Sequence, residues 1–333
     1  MKQVARAAGV SVGTVSNVLN RPQVVAPATR RRVLAAIRQL GFVRNESARM
    51  LRTGSSRAVG LVVIDAANPF FTDVARGVED LLSEHDAVVL LGDSAGEVRR
   101  ERRYLELFEE QRVRGVIIAP SHDGPPAIGG LDRLGIPVVF LDHQPGHPGH
   151  SCVTVDDEAG GFLAVDHLTA TGHRRVAVAA GPMSLPQVRD RLAGAERAAR
   201  ATAGTGLVHL DLPALTTRSG RLAADRLLAT APTERPSAVF AGNDLVALGL
   251  LQGLTEGGLA VPGDVAIVGY DDIEFAAAAA VPLSSVRQPR RQLGRASAEL
   301  LLDHVRAAER GERAAVRQVR FSPELVVRRS SER

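Results

Sequence analysis

Lys2–Asn20 reads KQVARAAGVSVGTVSNVLN. Its small apolar residues are Val4, Ala5, Ala8, Val10, Val15, Val18 and Leu19, recurring mostly three and four apart, the spacing of one helix face. Gly9 interrupts the first segment where a helix C-terminus calls for positive φ. Ser11 follows where an N-cap belongs, its hydroxyl able to accept from the Gly13 or Thr14 N–H. Two short helices around a Gly-containing turn make a helix-turn-helix, a unit that lays its second helix in the major groove of DNA.

Charge supports that reading. The whole chain has 333 residues with 41 Lys or Arg against 37 Asp or Glu, a net charge of +4. Residues 1–57 hold eleven of the bases and one acid, Glu46. A basic head on a net acidic body is the electrostatic footprint of phosphate-backbone binding. The length exceeds one ordinary core, so two or more domains are expected. The single Cys152 excludes an intramolecular disulfide and fits a reducing compartment. No apolar run is long enough to span a membrane, and the start lacks a secretory h-region. A cytoplasmic, nucleoid-associated protein without membrane contact is expected.

Beyond Asn20, RPQVVAP is expected as a loop and Ala28 to Leu40 as a third helix, with Val33, Leu34, Ile37 and Leu40 packing on the first two. Arg30, Arg31 and Arg32 near its start oppose the helix dipole, which makes sense beside an external anion. Residues 45–52 are helix-capable but too short to be stable alone, and 53–57 read as a linker. From Ala58 the pattern becomes alternating strands and helices. Apolar runs at 59–64, 87–91, 115–119 and 137–141 are separated by helical stretches near 70–84, 98–111 and 126–134. The pattern restarts with strands at 152–155, 176–180, 207–210, 238–240 and 265–269, and helices at 158–171, 188–202, 218–230 and 244–256. The fold class is therefore α/β: an all-α head and a two-lobed body of two doubly wound parallel sheets.

Open α/β sheets bind ligands beyond the carboxyl ends of their strands. The residues there are Asn68-Pro-Phe-Phe71, Asp93, Asp142, Asn243-Asp244 and Asp271-Asp272. Acids and amides with an aromatic pair suit a hydroxyl-rich small molecule.

The chain resembles the LacI/GalR family of bacterial transcriptional regulators over almost its whole length. The resemblance is carried by VARAAGVSVGTVSNVLN, by Asn45 and SARMLR, and by NPFF, VDDEAGG, HLTATGHRRVA, RLAG, GNDLVALG, VPGDVAIVGYDD and LSSVRQP. It implies a periplasmic-binding-protein-like body and the following division. Residues 1–44 form the DNA-binding head, 45–57 the hinge helix and linker, 58–155 with 286–316 one lobe, and 156–285 with 317–329 the other. It implies base contacts by Val12, Gly13 and Asn17, and phosphate contacts by Ser11, Thr14, Ser16 and Asn20. Asn45 and Arg49 belong to the hinge, where Leu51 stands at the leucine that wedges into the minor groove and kinks the operator. In the cleft, Phe71, Asp93, Asp142, Arg191, Leu215, Asn243, Asp271 and Gln288 are the effector-binding candidates. A homodimer on a palindromic double-stranded DNA operator follows, with a sugar-like effector whose binding disorders the hinge. Induction is the expected sign, although the family also holds corepressed members.

Several positions depart from the family pattern. Gln3 replaces a common Asp, and Ala26 replaces a Ser or Thr cap before the third helix. Leu215 stands where several sugar and purine binders place an aromatic, and His143 replaces an Arg. Met1 sits at the edge of the first helix, so the start is expected to lie upstream. The end, Arg328–Arg333, lacks the heptads of a tetramerising tail. His173 is expected to be structural, and His143 and His147 surface residues. No catalytic residue, metal or cofactor is expected: nucleophile elbow, P-loop and zinc spacing are all absent. The competing reading is a sugar-binding receptor of the periplasmic type, without DNA function.

Overall fold

The computed structural model describes residues 1–42, 56–124, 126–143 and 149–332. The chain divides into two compact units, Met1–Ser56 and Arg57–Arg333.

The head packs α1 (Lys2–Ala8), α2 (Val12–Asn20) and α3 (Pro27–Gln39) around Val4, Ala5, Ala8, Val15, Val18, Val33 and Ala36. Gly9 ends α1 in the left-handed region at φ 62°, a conformation that costs a residue with a Cβ more than it costs glycine. The Ser11 hydroxyl caps α2 by accepting from Thr14 N–H at 3.0 Å. The expected loop after Asn20 contains one turn of 3-10 helix, Pro22–Val24. Ala26 caps α3 with no side-chain bond, as its methyl dictates.

The body has two lobes, each with a six-stranded sheet. The first runs in the order β11-β5-β4-β3-β1-β2. It comprises β1 (Ala58–Val63), β2 (Val88–Asp93), β3 (Gly115–Ile118), β4 (Val138–Leu141), β5 (Ser151–Val155) and β11 (Gln318–Phe321), all parallel. The second runs β12-β10-β9-β8-β6-β7. Its strands are β6 (Arg175–Ala180), β7 (Gly206–Asp211), β8 (Ala238–Ala241), β9 (Ala266–Asp271), β10 (Ser284–Arg287) and the antiparallel edge β12 (Glu324–Val326). The central strands are buried on both faces, which is why they read as continuous apolar runs.

The crossover helices are α4 (Pro69–Glu84), α5 (Val98–Glu110) and α6 (Gly129–Arg133) in the first lobe. In the second they are α7 (Asp157–Ala170), α8 (Pro186–Ala201), α9 (Thr217–Ala229), α10 (Asp244–Glu256) and the short α11 (Glu274–Ala278). The helix expected over 126–134 shrinks to α6, where Gly129 and Gly130 weaken helix propensity. A long helix, α12 (Arg290–Glu309), returns to the first lobe and buries Leu293, Leu301 and Val305 in the core that α4 also covers.

The lobe boundaries differ from those expected at 286 and 317. β10 pairs wholly with β9, so the chain leaves the second lobe only after Arg287. β11 pairs with β5, and Val319 and Phe321 pack on the first lobe's core, so the final return follows Phe321. β10 thus lies inside the second sheet, between β9 and the edge strand β12, while β11 forms an edge of the first.

Candidate functional site

In the head, Ser11, Val12, Gly13 and Asn17 are exposed on α2, while Val15 and Val18 turn inward to hold the helix. Thr14, Ser16 and Asn20 lie at the edge of that face. Asn20 Nδ2 donates to Ser16 O at 2.8 Å and Ser16 Oγ at 3.1 Å, and the Ser11 and Thr14 hydroxyls lie 2.9 Å apart. Lys2, Arg6, Arg21, Arg30, Arg31, Arg32 and Arg38 are all exposed, and residues 1–42 contain no acid. Asn45, Arg49 and Leu51 lie outside the described residues, as do the hinge expected around them and His147.

In the body, a cavity of about 400 Å³ lies between the lobes at the carboxyl ends of both sheets. The first lobe contributes Asp65, Asn68 and Phe71 from the β1–α4 connection, Ser121 after β3 and Asp142 after β4. The second contributes Gln187 and Arg191 from the start of α8, Leu215 after β7, Asn243 after β8 and Asp271 ending β9. Phe71 packs edge-to-face on Phe70, centroids 4.9 Å apart, and with Leu185 and Leu215 gives the cavity its apolar surface.

Arg191 is the fixed point of this wall. It is 4% exposed; its Nε donates to Asp157 Oδ1 at 2.7 Å and its Nη1 to Gly242 O at 2.8 Å. Its guanidinium lies 3.7 Å from the Tyr270 ring centroid. Burial works against its charge, but Asp157, Tyr270, Asp271 and Asp142 outweigh that and hold its proton above the usual value. The backbone of α8 is brought to this place by Gly161 on α7: a Cβ there would meet Arg191 O at 1.9 Å.

Asp142 and Asp271 occupy equivalent places, each just beyond or at the end of its lobe's fourth strand, and each has positive φ, 52° and 101°. Burial, with Asp157 and Asp271 nearby, pushes the Asp142 carboxyl well up. Asp271 accepts from Gln288 Nε2 at 2.7 Å and is hydrogen-bonded by Asn68 across the cleft. Burial pushes it up to about 6 against the lowering pull of Arg191, those bonds and Arg290. Asn243 uses Oδ1 to cap α10 at Val246 N–H, 2.9 Å, and Nδ2 to donate to Leu215 O, 3.2 Å. Arg189 Nη2 donates to Asp123 Oδ2 at 2.6 Å and bridges the lobes beside the cavity.

Six of the eight cavity candidates thus come together: Phe71, Asp142, Arg191, Leu215, Asn243 and Asp271. Asp93 stands outside; its Oδ1 accepts from Ala95 N–H at 2.8 Å, and Ala95 and Gly96 face the cavity instead. Gln288 lies behind Asp271 and orients it. His143, expected at the surface, is buried against Phe140, and burial lowers its pKa. His173 is buried with Nδ1 2.8 Å from Ser237 Oγ. Ser121, Gln187 and Thr216 line the cavity without having been singled out, although each stands just past a strand or at a helix start. Asp244 and Asp272, inspected as ligand candidates, are structural. The first accepts from Ser285 Oγ and Ile273 N–H, and the second pairs with Arg287 and Arg328.

Residues 1–45 match the model of bacterial regulatory proteins of the lacI family, and residues 165–331 match that of periplasmic binding protein-like domains. Among curated proteins, the HTH-type transcriptional repressor PurR of Vibrio campbellii (strain ATCC BAA-1116) is 34% identical over 330 residues, 98% of this chain and 97% of that one. The solved complex of the transcriptional regulator CelR with cellobiose is 36% identical, covers 99% of this chain and 98% of its own, and superposes with TM-score 0.71. The Lac repressor dimer bound to operator and the anti-inducer ONPF is 29% identical over 98% of this chain and 97% of its own, with TM-score 0.82. With that head, that two-lobed body and these full-length relatives, the chain belongs to the LacI family of bacterial transcriptional regulators.

Proposed function

We propose that the protein represses transcription by binding a palindromic operator as a homodimer, and that a small polyhydroxylated effector in the interlobe cavity sets its operator affinity. The observation that carries this reading is the presence in one chain of an exposed, acid-free helix-turn-helix and a cavity walled by fixed donors and acceptors. The solved Lac repressor is a dimer on operator and CelR holds cellobiose, which supports both halves of the reading.

Val12, Gly13 and Asn17 present the base-reading face. Asn pairs best with adenine, Val offers apolar contact to a thymine methyl, and Gly offers only backbone. Ser11, Thr14, Ser16 and Asn20 fix the helix on phosphates, Asn45 and Arg49 contact DNA from the hinge, and Leu51 is assigned to the minor groove. One short reading helix discriminates weakly, so two heads on a two-fold site are needed. The edge strand β2 exposes Val88, Leu90 and Leu91, with Val98 and Leu107 exposed on neighbouring α5. Such an apolar edge is a natural self-pairing surface.

In the cavity, Arg191 donates, Asp142 and Asp271 accept, Asn68, Gln187 and Asn243 supply amides, and Phe71 packs on C–H faces. We read these groups as a binding set, with Arg191 held in place by Asp157. Ligand recovered intact after prolonged incubation checks this. A receptor without DNA function has no use for the basic reading head.

The test is selection of bound duplexes from random sequence, repeated with a panel of sugars and polyols. A palindromic winner whose binding changes with one panel member is expected. Only salt-dependent binding without sequence preference would refute the operator, and no response to any panel member would refute the effector class.

A further inference from the structure

We propose that Asp123, which bridges the lobes through Arg189, is shared with His143, so that a proton taken up by the histidine draws the carboxylate back to its own lobe and opens the cleft. Acidity then becomes a second input to the body. The exchange is internal to the chain and needs no ligand, so it stands apart from the effector reading above.

The first observation is the bridge. Asp123 lies in the loop after β3 of the first lobe, and Arg189 in the first turn of α8 of the second. Arg189 Nη2 donates to Asp123 Oδ2 at 2.6 Å, while its Nη1 donates to Met183 O at 2.9 Å within its own lobe. The guanidinium is anchored, and the carboxylate is the part free to change partner. The two side chains are 40% and 61% exposed, so water and salt screen the pair and one competing charge decides it.

The second is the pair of histidines beside it. His143 follows Asp142 at the exit of β4 and is 7% exposed, its ring centroid 5.9 Å from that of Phe140. Its Nδ1 is buried without a hydrogen-bond partner among the described residues, and so is Nδ1 of His122 at the exit of the neighbouring β3. The His122 ring is packed over Gly124, where a Cβ would come within 2.8 Å of it. Buried polar atoms are normally paired. A protonated His143 has two donors to place, and a carboxylate is the strongest acceptor for them.

The third is the charge around His143. The groups facing it are Asp123 and His122 from the β3 exit, Glu101 from α5, Arg189 from α8 and its chain neighbour Asp142. Glu101 is 1% exposed and already accepts from Ser121 N–H at 2.7 Å, which leaves Asp123 as the uncommitted acid once Arg189 departs. Burial lowers the His143 pKa; Asp123 and Glu101 pull it up, and His122 and Arg189 push it down. Opening the cleft removes Arg189 and frees Asp123, and both changes raise the histidine's affinity for a proton. The open form therefore binds the proton more tightly than the bridged form, and acidification through the histidine range favours it. Asp142 and Asp271 work the other way: burial raises them in the bridged form, and opening hydrates them, so through them acid favours the bridge. The histidine's part is accordingly read as a difference between variants.

The experiment measures the distance between the lobes of the ligand-free full-length protein by fluorescence energy transfer. The dyes sit on Arg99→Cys and Arg218→Cys, exposed positions at the starts of α5 and α9 on opposite lobes, while Cys152 is buried. From pH about 7.5 to about 5.5, the open-to-bridged ratio of otherwise wild-type protein is expected to rise by about 3- to 10-fold relative to that of His143→Gln, the effect of up to about one pKa unit between the two forms. Asp123→Asn is expected to hold more open form at pH about 7.5 and to respond to acid as His143→Gln does. His209→Gln, on the edge strand β7, leaves the wild-type response as it was. The same response in wild type and His143→Gln overturns the histidine's role. Asp123→Asn with the wild-type distance and response overturns the shared carboxylate, and does so even where His143→Gln fails to fold. One distance in every protein at both pH values overturns the switch as a whole, with effector control of the operator left standing.

Discussion

Arg191 holds three commitments at once: a bidentate-capable fork on Asp157 and Gly242 O, a stack on Tyr270, and a face on the cavity. Lysine cannot reproduce a planar fork. Arg191→Lys is expected to weaken effector binding by about 100-fold, roughly the loss of two charge-assisted bonds, with operator affinity in the absence of effector changed less than about 2-fold. Titration calorimetry and anisotropy separate the two. Asp271 gives a pH prediction. Its carboxyl is pushed up to about 6, mainly by burial, so between the ordinary carboxylate range and that value the folded chain binds more protons than the unfolded one. Stability therefore falls as pH rises through that window. Asp142 and Asp244, also raised by burial, act in the same direction. Asp272 is lowered by Arg328 and Arg287 despite its burial, so its contribution is lost only at more acid pH and leaves the window unaffected. His143, His167 and His304, lowered by burial, act in the opposite direction over the same window, so the Asp271 contribution is read by difference. From pH about 4.5 to about 7 the stability of wild type in urea unfolding is expected to change less favourably than that of Asp271→Asn by on the order of 2 kcal/mol. An identical pH dependence in the two proteins would contradict the assignment. At this scale the sequence located the cavity's edge better than its inward-facing atoms. Asp93 and Asp142 both end strands, but a tight turn draws the Asp93 carboxylate back onto Ala95 N–H, and nothing in the spacing shows which way such a side chain turns. Ser121 and Gln187 are too ordinary as residues to stand out, though the strand-end rule covered their position.

At the scale of elements, helix-to-helix approach places the chemistry. Gly161 lets α7 and α8 close to the point where a methyl would collide with Arg191 O at 1.9 Å. Gly161→Ala is expected to cost about 1–3 kcal/mol of stability and to weaken effector binding, because the helix carrying Arg191 must move. Thermal unfolding with calorimetry reads both, and a variant with native stability and affinity would show that the approach is slack. The edge strand β2 makes a separate prediction. Leu91→Asp places a charge on the exposed apolar edge and is expected to convert the proposed dimer to monomer in sedimentation at micromolar concentration, with operator affinity falling accordingly. The central strands and their helices were legible because they are long, periodic and doubly buried. The long helix α12 and the short strands β10, β11 and β12 were not assigned. The strands hold three or four residues each, too few for a period, and Arg-rich turns surround the helix's apolar stripe. Their absence from the reading is what misplaced the last lobe boundaries.

At the scale of the whole molecule, the sequence divides its charge, its secondary-structure period and its ligand groups into a DNA-reading head and a ligand-holding body. The two must exchange free energy if the effector is to act: a ligand changes operator affinity only by its differential affinity for the two states, and the coupling is reciprocal. Couplings of this kind run from about 5- to 150-fold. The hinge expected at 45–52 is the segment proposed to carry it, and amide exchange over 45–53 with saturating ligand is expected to change when operator affinity does. The most direct measurement is an anisotropy titration of the selected duplex, with and without the panel member that binds the cavity, for wild type and Arg191→Lys. Cavity ligand is expected to shift the wild-type operator Kd by at least about 5-fold, while the same ligand concentration leaves Arg191→Lys unshifted on the same duplex. An equal shift in both proteins, or none in wild type at saturation of the cavity, would contradict control of the head from this site.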